Sequence, residues 1–176
     1  RAVAGIFKIP AQVVSKAIKN FRTLPHRLEL VGTFKGVVFY NDALATIPEA
    51  TIMALKELWD RVETIILGGF EREQNFKNLA AKILKSKLKT LILFPTTGRR
   101  IWKEIAKYRG ERVSPKAFFV DNMKDAVKIA YQQTKKKKIC LLSTASPSFS
   151  IFKDYKEKGN FFKKYVKQLA ESDENS

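Results

Sequence analysis

The sequence predicts a three-layer α/β sandwich, Rossmann-like, with a mainly parallel sheet between two layers of helices and a β-hairpin before it. Three observations predict this. Residues 28–40 carry two runs of β-branched and aromatic residues on either side of Lys35-Gly36. Beyond them, segments with helical period alternate with short strand-like segments. Those short segments are continuous apolar runs such as Thr64-Ile65-Ile66-Leu67, as expected of a sheet covered by helices on both faces.

The elements follow in order. A helical pattern (Val13, Val14, Ala17, Ile18, Phe21) starts soon after Ile9-Pro10 and ends at Thr23-Leu24-Pro25, where proline disfavours helix in the residue before it. The hairpin pairs Leu28-Glu29-Leu30-Val31-Gly32-Thr33-Phe34 with Val37-Val38-Phe39-Tyr40, its turn relying on Gly36. A helix over 47–59 leads to a strand at 64–67. A helix over 74–86 (Phe76, Leu79, Ala80, Ile83, Leu84) leads to the strand 90–94, and a helix over 98–107 (Ile101, Trp102, Ile105) to a short strand at 117–120. A helix over 122–134 (Met123, Ala126, Val127, Ala130) precedes the strand 139–142, and a last helix covers 159–170. The lysine run 135–138 reads as solvated cations at a negative helix end, and 171–176 as a frayed tail.

Composition narrows the function. In 176 residues, 34 Lys and Arg stand against 17 Asp and Glu, a formal charge of +17, yet 45% hydrophobic residues exclude a disordered basic tail. A single cysteine, Cys140, and a single histidine, His26, exclude a disulfide framework and a His- or Cys-rich metal centre. No apolar stretch approaches the roughly 20 residues of a membrane span, and a reducing, cytoplasmic setting is expected. The first residue is Arg1 and a helical pattern follows almost at once. Residues 1–22 are therefore expected to be the trailing edge of an upstream domain, 23–25 a linker, and 26–170 the domain itself.

Open α/β sheets bind ligands at the carboxyl ends of their strands. Four loops lie there: Asn41-Asp42-Ala43-Leu44-Ala45-Thr46, Gly68-Gly69-Phe70-Glu71-Arg72, Thr96-Thr97-Gly98-Arg99-Arg100 and Ser143-Thr144-Ala145-Ser146-Pro147-Ser148. Thr46 with Glu49 spells a capping box, with Pro48 in the first turn; the same helix start could receive a carboxylate or phosphate. Gly68-Gly69 is not a dinucleotide fingerprint. Arg72 just beyond it can grip a carboxylate through two parallel hydrogen bonds. The hydroxyls at 143–148 could orient a small anion. His26-Arg27 falls at the linker, and no Ser or Cys stands beside the histidine to make a triad. No Gly-x-x-x-x-Gly-Lys-Ser/Thr loop is present, so the chain alone is not expected to cradle ATP.

Several motifs stand together in the order and spacing of one family: Leu24-Pro25-His26-Arg27-Leu28-Glu29, Asn41-Asp42-x-x-Ala45-Thr46, Leu67-Gly68-Gly69, Leu141-Leu142-Ser143-x-Ala145-Ser146-x-Ser148, Phe152-Lys153-x-Tyr155 and Gly159-x-x-Phe162. The chain resembles the C-terminal domain of the Mur ligases, ATP-dependent enzymes of peptidoglycan synthesis, and among them the members that add D-glutamate. Asn41-Asp42, in place of an Asp-Tyr-Ala-His type motif, favours that branch. Residues 1–22 resemble the last helices of the family's central ATPase domain.

The resemblance implies roles. Arg27 reaches the nucleotide and Asp42 binds its ribose; Pro25 and His26 lie at the hinge between domains. Thr46, Arg72, Ser148 and Tyr155 surround D-glutamate, mostly through its carboxylates. No catalytic residue and no metal ligand falls in this chain; ATP, Mg2+ and UDP-MurNAc-L-alanine are held by other domains, so the chain alone is expected to be inactive. In the family, phosphorylation of the UDP-MurNAc-L-alanine carboxylate by ATP gives an acyl phosphate that the D-glutamate amine attacks. Ala43-Leu44 departs from the family's Ser-Lys, and Phe70 from a frequent Asp. Two other readings stand beside this one: a basic nucleic-acid-binding domain, motivated by the charge but disfavoured by phenylalanines at core-periodic positions, and an inactive homologue, motivated by Leu44.

Overall fold

The computed structural model of the protein describes residues 2–21, 23–110, 115–149 and 151–172. Two helices, α1 (Ala2–Ile6) and α2 (Ala11–Asn20), come first, and neither buries a residue. Pro10, with its φ held near that of a helix start and no N–H to give, separates them.

The domain proper is a six-stranded sheet of β1 (Glu29–Phe34), β2 (Val37–Asn41), β3 (Val62–Gly68), β4 (Thr90–Phe94), β5 (Lys116–Phe119) and β6 (Ile139–Leu142). The strands lie in the order β1-β2-β6-β3-β4-β5. Only the β1–β2 hairpin is antiparallel; the other four pairings are parallel. The expected mainly parallel α/β sandwich with a leading hairpin is therefore the observed fold.

Alternate side chains of each central strand go to opposite layers. Ile65, Leu67, Leu91, Leu93, Ile139 and Leu141 pack with α3 (Pro48–Leu58), α4 (Lys77–Leu84) and α5 (Thr97–Arg109). Ile66, Ile92, Phe94, Cys140 and Leu142 pack with α6 (Met123–Gln133) and α7 (Tyr155–Glu171). Each such side chain taken from water contributes about 1.5–3 kcal/mol. Both faces are covered, so the strands have no polar alternation.

Two local expectations are corrected. Thr46 does not cap α3: Pro48 takes the first helical position, so the cap falls on Ile47, which has no side-chain acceptor. The last helix begins at Tyr155, four residues before the expected start, because Asp154 caps it by accepting from the Glu157 N–H at 2.8 Å. Glu171 is the last residue of that helix, and residues 173–176 of the expected tail lie outside the described residues. The lysine run 135–138 follows the end of α6 with Lys135, Lys136 and Lys137 exposed, as expected, and its backbone turns into β6 pinned from both sides: the Lys135 N–H donates to Glu63 Oε2 at 2.6 Å and the Lys137 N–H to the Gly36 carbonyl at 2.7 Å.

Candidate functional site

Because β2, β3, β4 and β6 run parallel, the loops after them meet at one edge. Backbone hydrogen bonds stitch them together. Gly68 N–H donates to Thr144 O at 2.9 Å and Phe70 N–H to Pro147 O at 2.8 Å, joining the loops after β3 and β6. The N–H groups of Thr96 and Thr97 donate to Gly69 O at 2.7 and 3.0 Å, joining β3 and β4. The buried Thr97 hydroxyl completes the knot, accepting from Gly69 N–H at 3.0 Å and lying 2.8 Å from Ser146 Oγ. Gly69 is required by this closeness, since a Cβ there would stand 2.2 Å from the Pro147 carbonyl oxygen.

Asp42 sits at the end of β2, 5% exposed. Its Oδ1 accepts from Leu28 N–H at 3.1 Å and its Oδ2 from the Ser143 hydroxyl at 2.8 Å, leaving lone pairs on both oxygens. Burial holds its carboxyl above the ordinary aspartate value; the Ser143 and Leu28 hydrogen bonds and the charges of Arg27 and Lys158 pull the other way. Asp42 and exposed Arg27 line one cavity of about 790 Å3, whose walls include Leu28, Tyr40, Ile47 and Met53.

The loop after β3 carries Arg72 outward. Glu71 pairs with Arg100 on α5, whose guanidinium also donates to Gln74 O at 3.0 Å, and Arg72 N–H donates to Gln74 Oε1 at 3.1 Å, fixing the turn from which Arg72 projects. The Arg72 guanidinium lies over the Phe149 ring, 5.8 Å from its centre. Next to Phe149, Ser148 is 4% exposed, and among the described residues its hydroxyl has no hydrogen-bond partner. A buried hydroxyl left unpaired costs about 1–3 kcal/mol, and here it belongs to the residue before the ring that the exposed Arg72 guanidinium covers.

The structure thus sets Arg72 against Phe149, the residue after Ser148, and lines one cavity with Arg27 and Asp42. Tyr155, half-buried at the start of α7, meets His26 edge-on with ring centres 5.9 Å apart. Thr46 is half-buried between Ala45, whose carbonyl faces the Thr144 hydroxyl at 3.4 Å, and the start of α3. Pro25 is exposed, whereas His26 is 6% exposed and built into the domain: its carbonyl accepts from Leu44 N–H at 3.0 Å and its Nδ1 lies 3.0 Å from Asn41 Nδ2. His26 therefore belongs to the sheet edge and not to a free linker.

One residue escaped the sequence reading. Lys158 is 1% exposed, and its ammonium donates to Thr144 Oγ1 at 2.6 Å. It lies one and two turns before the buried Phe162 and Val166. That stripe is legible in the sequence once the helix is started at the Asp154 cap.

Residues 26–146 match the family described as Mur ligase, glutamate ligase domain. The chain is 34% identical over 168 residues to the UDP-N-acetylmuramoylalanine–D-glutamate ligase of Thermoanaerobacter sp. (strain X514), covering 96% of this chain and 36% of that protein. It is 34% identical over 154 residues to the enzyme of the same name from Aquifex aeolicus, covering 86% and 35%. The chain spans about a third of the length of these relatives and matches their C-terminal part. Among solved structures, the UDP-N-acetylmuramate–alanine ligase of Thermotoga maritima superposes with a TM-score of 0.64 at 14% identity, over 97% of this chain and 36% of that one. A MurF ligase of the same organism in complex with ADP gives 0.59 at 17%, over 96% and 37%. Matched over most of its length by this domain, and sharing its motifs and its sheet, the chain belongs to the Mur ligase family.

Proposed function

We propose that this chain is the amino-acid-binding part of an ATP-dependent ligase that joins D-glutamate to UDP-MurNAc-L-alanine in peptidoglycan synthesis, in the cytoplasm, and that it is inactive without the remaining domains. The observation that carries the proposal is the buried Ser148 hydroxyl, without a hydrogen-bond partner among the described residues, one residue before the Phe149 ring that the outward Arg72 guanidinium covers. A dianionic amino acid needs donors for two carboxylates, and these two groups, with the Thr46 hydroxyl, come from three separate loops. Tyr155 would border the same ligand from α7.

The nucleotide end fits as well. Asp42 offers lone pairs to ribose hydroxyls, Arg27 a positive charge to phosphates, and the apolar wall of the neighbouring cavity a surface for a base. When bound, ATP supplies the phosphoryl group that activates the acceptor carboxylate. This chain's own share is positioning: Ser143 and Leu28 orient Asp42, and Arg72 and Ser148 hold the incoming amino acid so that its amine points to the activated carbon. Ala43 and Leu44 serve the backbone here, Leu44 through its N–H to His26 and Ala43 through its N–H to Asn41 Oδ1.

The direct test is ADP release by the full-length protein with UDP-MurNAc-L-alanine and each candidate amino acid. Release that depends on D-glutamate is expected; release driven equally by other amino acids, or absent with D-glutamate, overturns the proposal.

A further inference from the structure

Lys158 poses a question that packing does not answer. It sits on the inward stripe of α7 with Phe162 and Val166, where a methionine or leucine would fill similar space. Burying an ammonium is unfavourable unless partners offset the lost hydration. Among the described residues, it has one hydrogen bond, to Thr144 Oγ1, and one facing carboxylate, Asp42. Burial pulls it down to about 7 even with Asp42 pulling back. An ammonium so poorly repaid is a poor stabiliser of the fold.

Its neighbours give it another task. The Thr144 hydroxyl that accepts from Lys158 donates in turn to the Ser146 carbonyl at 2.9 Å, inside the loop that ends at Ser148. Asp42, on the other side, is bound to Ser143 in the same loop. One buried cation therefore touches the loop of the amino-acid subsite and faces the carboxylate of the nucleotide subsite.

We propose that Lys158 is a positioning residue for the ligase reaction: its ammonium holds the loop 143–148 in the shape that presents Ser148 to the amino-acid carboxylate, and ties that loop to Asp42. This rests on the functional reading above. At about pH 7 and below, where it is protonated, the ammonium also places a positive charge beneath the proposed anion site, where the low dielectric strengthens its reach.

The test uses the full-length enzyme and its Lys158→Met, Lys158→Arg and Thr144→Val variants, measuring KM for D-glutamate, KM for ATP, kcat and the melting temperature. Lys158→Met should raise KM for D-glutamate by about tenfold or more, the scale of one charge-assisted hydrogen bond, while its melting temperature holds or rises. Lys158→Arg should return KM to within about threefold of wild type, because the charge is restored. A merely structural lysine predicts the reverse: lower melting temperature with unchanged KM. A folded Lys158→Met enzyme with KM within twofold of wild type overturns the proposal. If that variant does not fold, Thr144→Val decides, a raised KM supporting the proposal and an unchanged one overturning it. Wild-type enzyme that turns over with another amino acid but not with D-glutamate overturns the substrate reading, and this proposal with it; normal wild-type use of D-glutamate with unmoved variants removes the role of Lys158 alone.

Discussion

The side-chain amide of Asn41 donates to Nδ1 of His26 across 3.0 Å, and its direction fixes the state of the histidine. Asn41 Oδ1 accepts from Ala43 N–H at 3.1 Å, so the amide nitrogen must be the end that faces His26 and Glu29 Oε2, the latter at 3.0 Å. His26 Nδ1 is then an acceptor and its proton is on Nε2. Glu29 lies 4.0 Å from His26 Nδ1, near enough for an ion pair, but the ring is neutral and the carboxylate's cation is Lys163, 2.9 Å from Oε1.

The first prediction is that His26 titrates below its ordinary 6.5. Burial is the main cause, with Lys163 and Lys156 acting in the same direction and Glu29 and Asp154 opposing them. Below pH 6.5 the unfolded chain binds this proton more readily than the folded one, so the contribution of His26 to stability rises with pH through that interval and levels off above it. An NMR titration of the ring checks this; a midpoint above 6.5 contradicts the hydrogen-bond assignment.

Gly159 is the second test. A Cβ there would stand 2.2 Å from His26 Nδ1 and 3.0 Å from Asn41 Nδ2. Alanine normally favours a helix interior over glycine, but here it should destabilise the protein by about 1–3 kcal/mol through overpacking. Chemical unfolding of Gly159→Ala measures this, and a more stable variant would show that α7 can move away from His26.

Arg72→Ala in the full-length enzyme should raise KM for D-glutamate about ten- to a hundredfold, the range of a lost charge-assisted hydrogen bond, and leave KM for ATP within a few-fold. Arg72→Lys should be milder. Weakened ATP use with D-glutamate spared would assign this loop to the nucleotide instead.

Stability should rise between pH 7 and about 9. Across that span the unfolded chain keeps the Lys158 proton, with an ordinary value of 10.5, while the buried residue facing Asp42, with Arg27 beyond it, gives it up near 7. Above 9 the trend reverses, because burial pushes the Cys140 thiol and the Tyr131 phenol up and the unfolded chain loses those protons first. Urea unfolding midpoints at pH 7, 8 and 9 check this, and Lys158→Met should flatten the rise.

Amide exchange should divide the 176-residue chain between α2 and β1. No residue of α1 or α2 is buried, and Val3, Ile6, Phe7 and Val13 are each more than half exposed. Helices without tertiary burial are marginal at these lengths, so 2–20 should exchange far faster than β6; equal protection would show that the two helices are held.

The order of helices and strands, the covered sheet and the four-loop edge were legible in the sequence because each depends on local period and on the polarity of short segments. Parallel strands joined by helices must return their carboxyl ends to one side, so Asp42, Arg72 and Ser148 could be grouped without coordinates. Element ends were less legible. Thr46 lost its cap to the neighbouring Pro48, and α7 gained a turn from Asp154, since competing caps lie within a few residues of one another. What only the tertiary structure decided is what depends on partners far along the chain. Placing β6 between β2 and β3 brings Ser143 to Asp42 across 101 residues and leaves the Ser148 hydroxyl buried without a partner among the described residues. It also sets a lysine under that loop and a histidine against a glycine. Burial and hydrogen-bond direction are properties of the neighbours in space, and no window of sequence contains them.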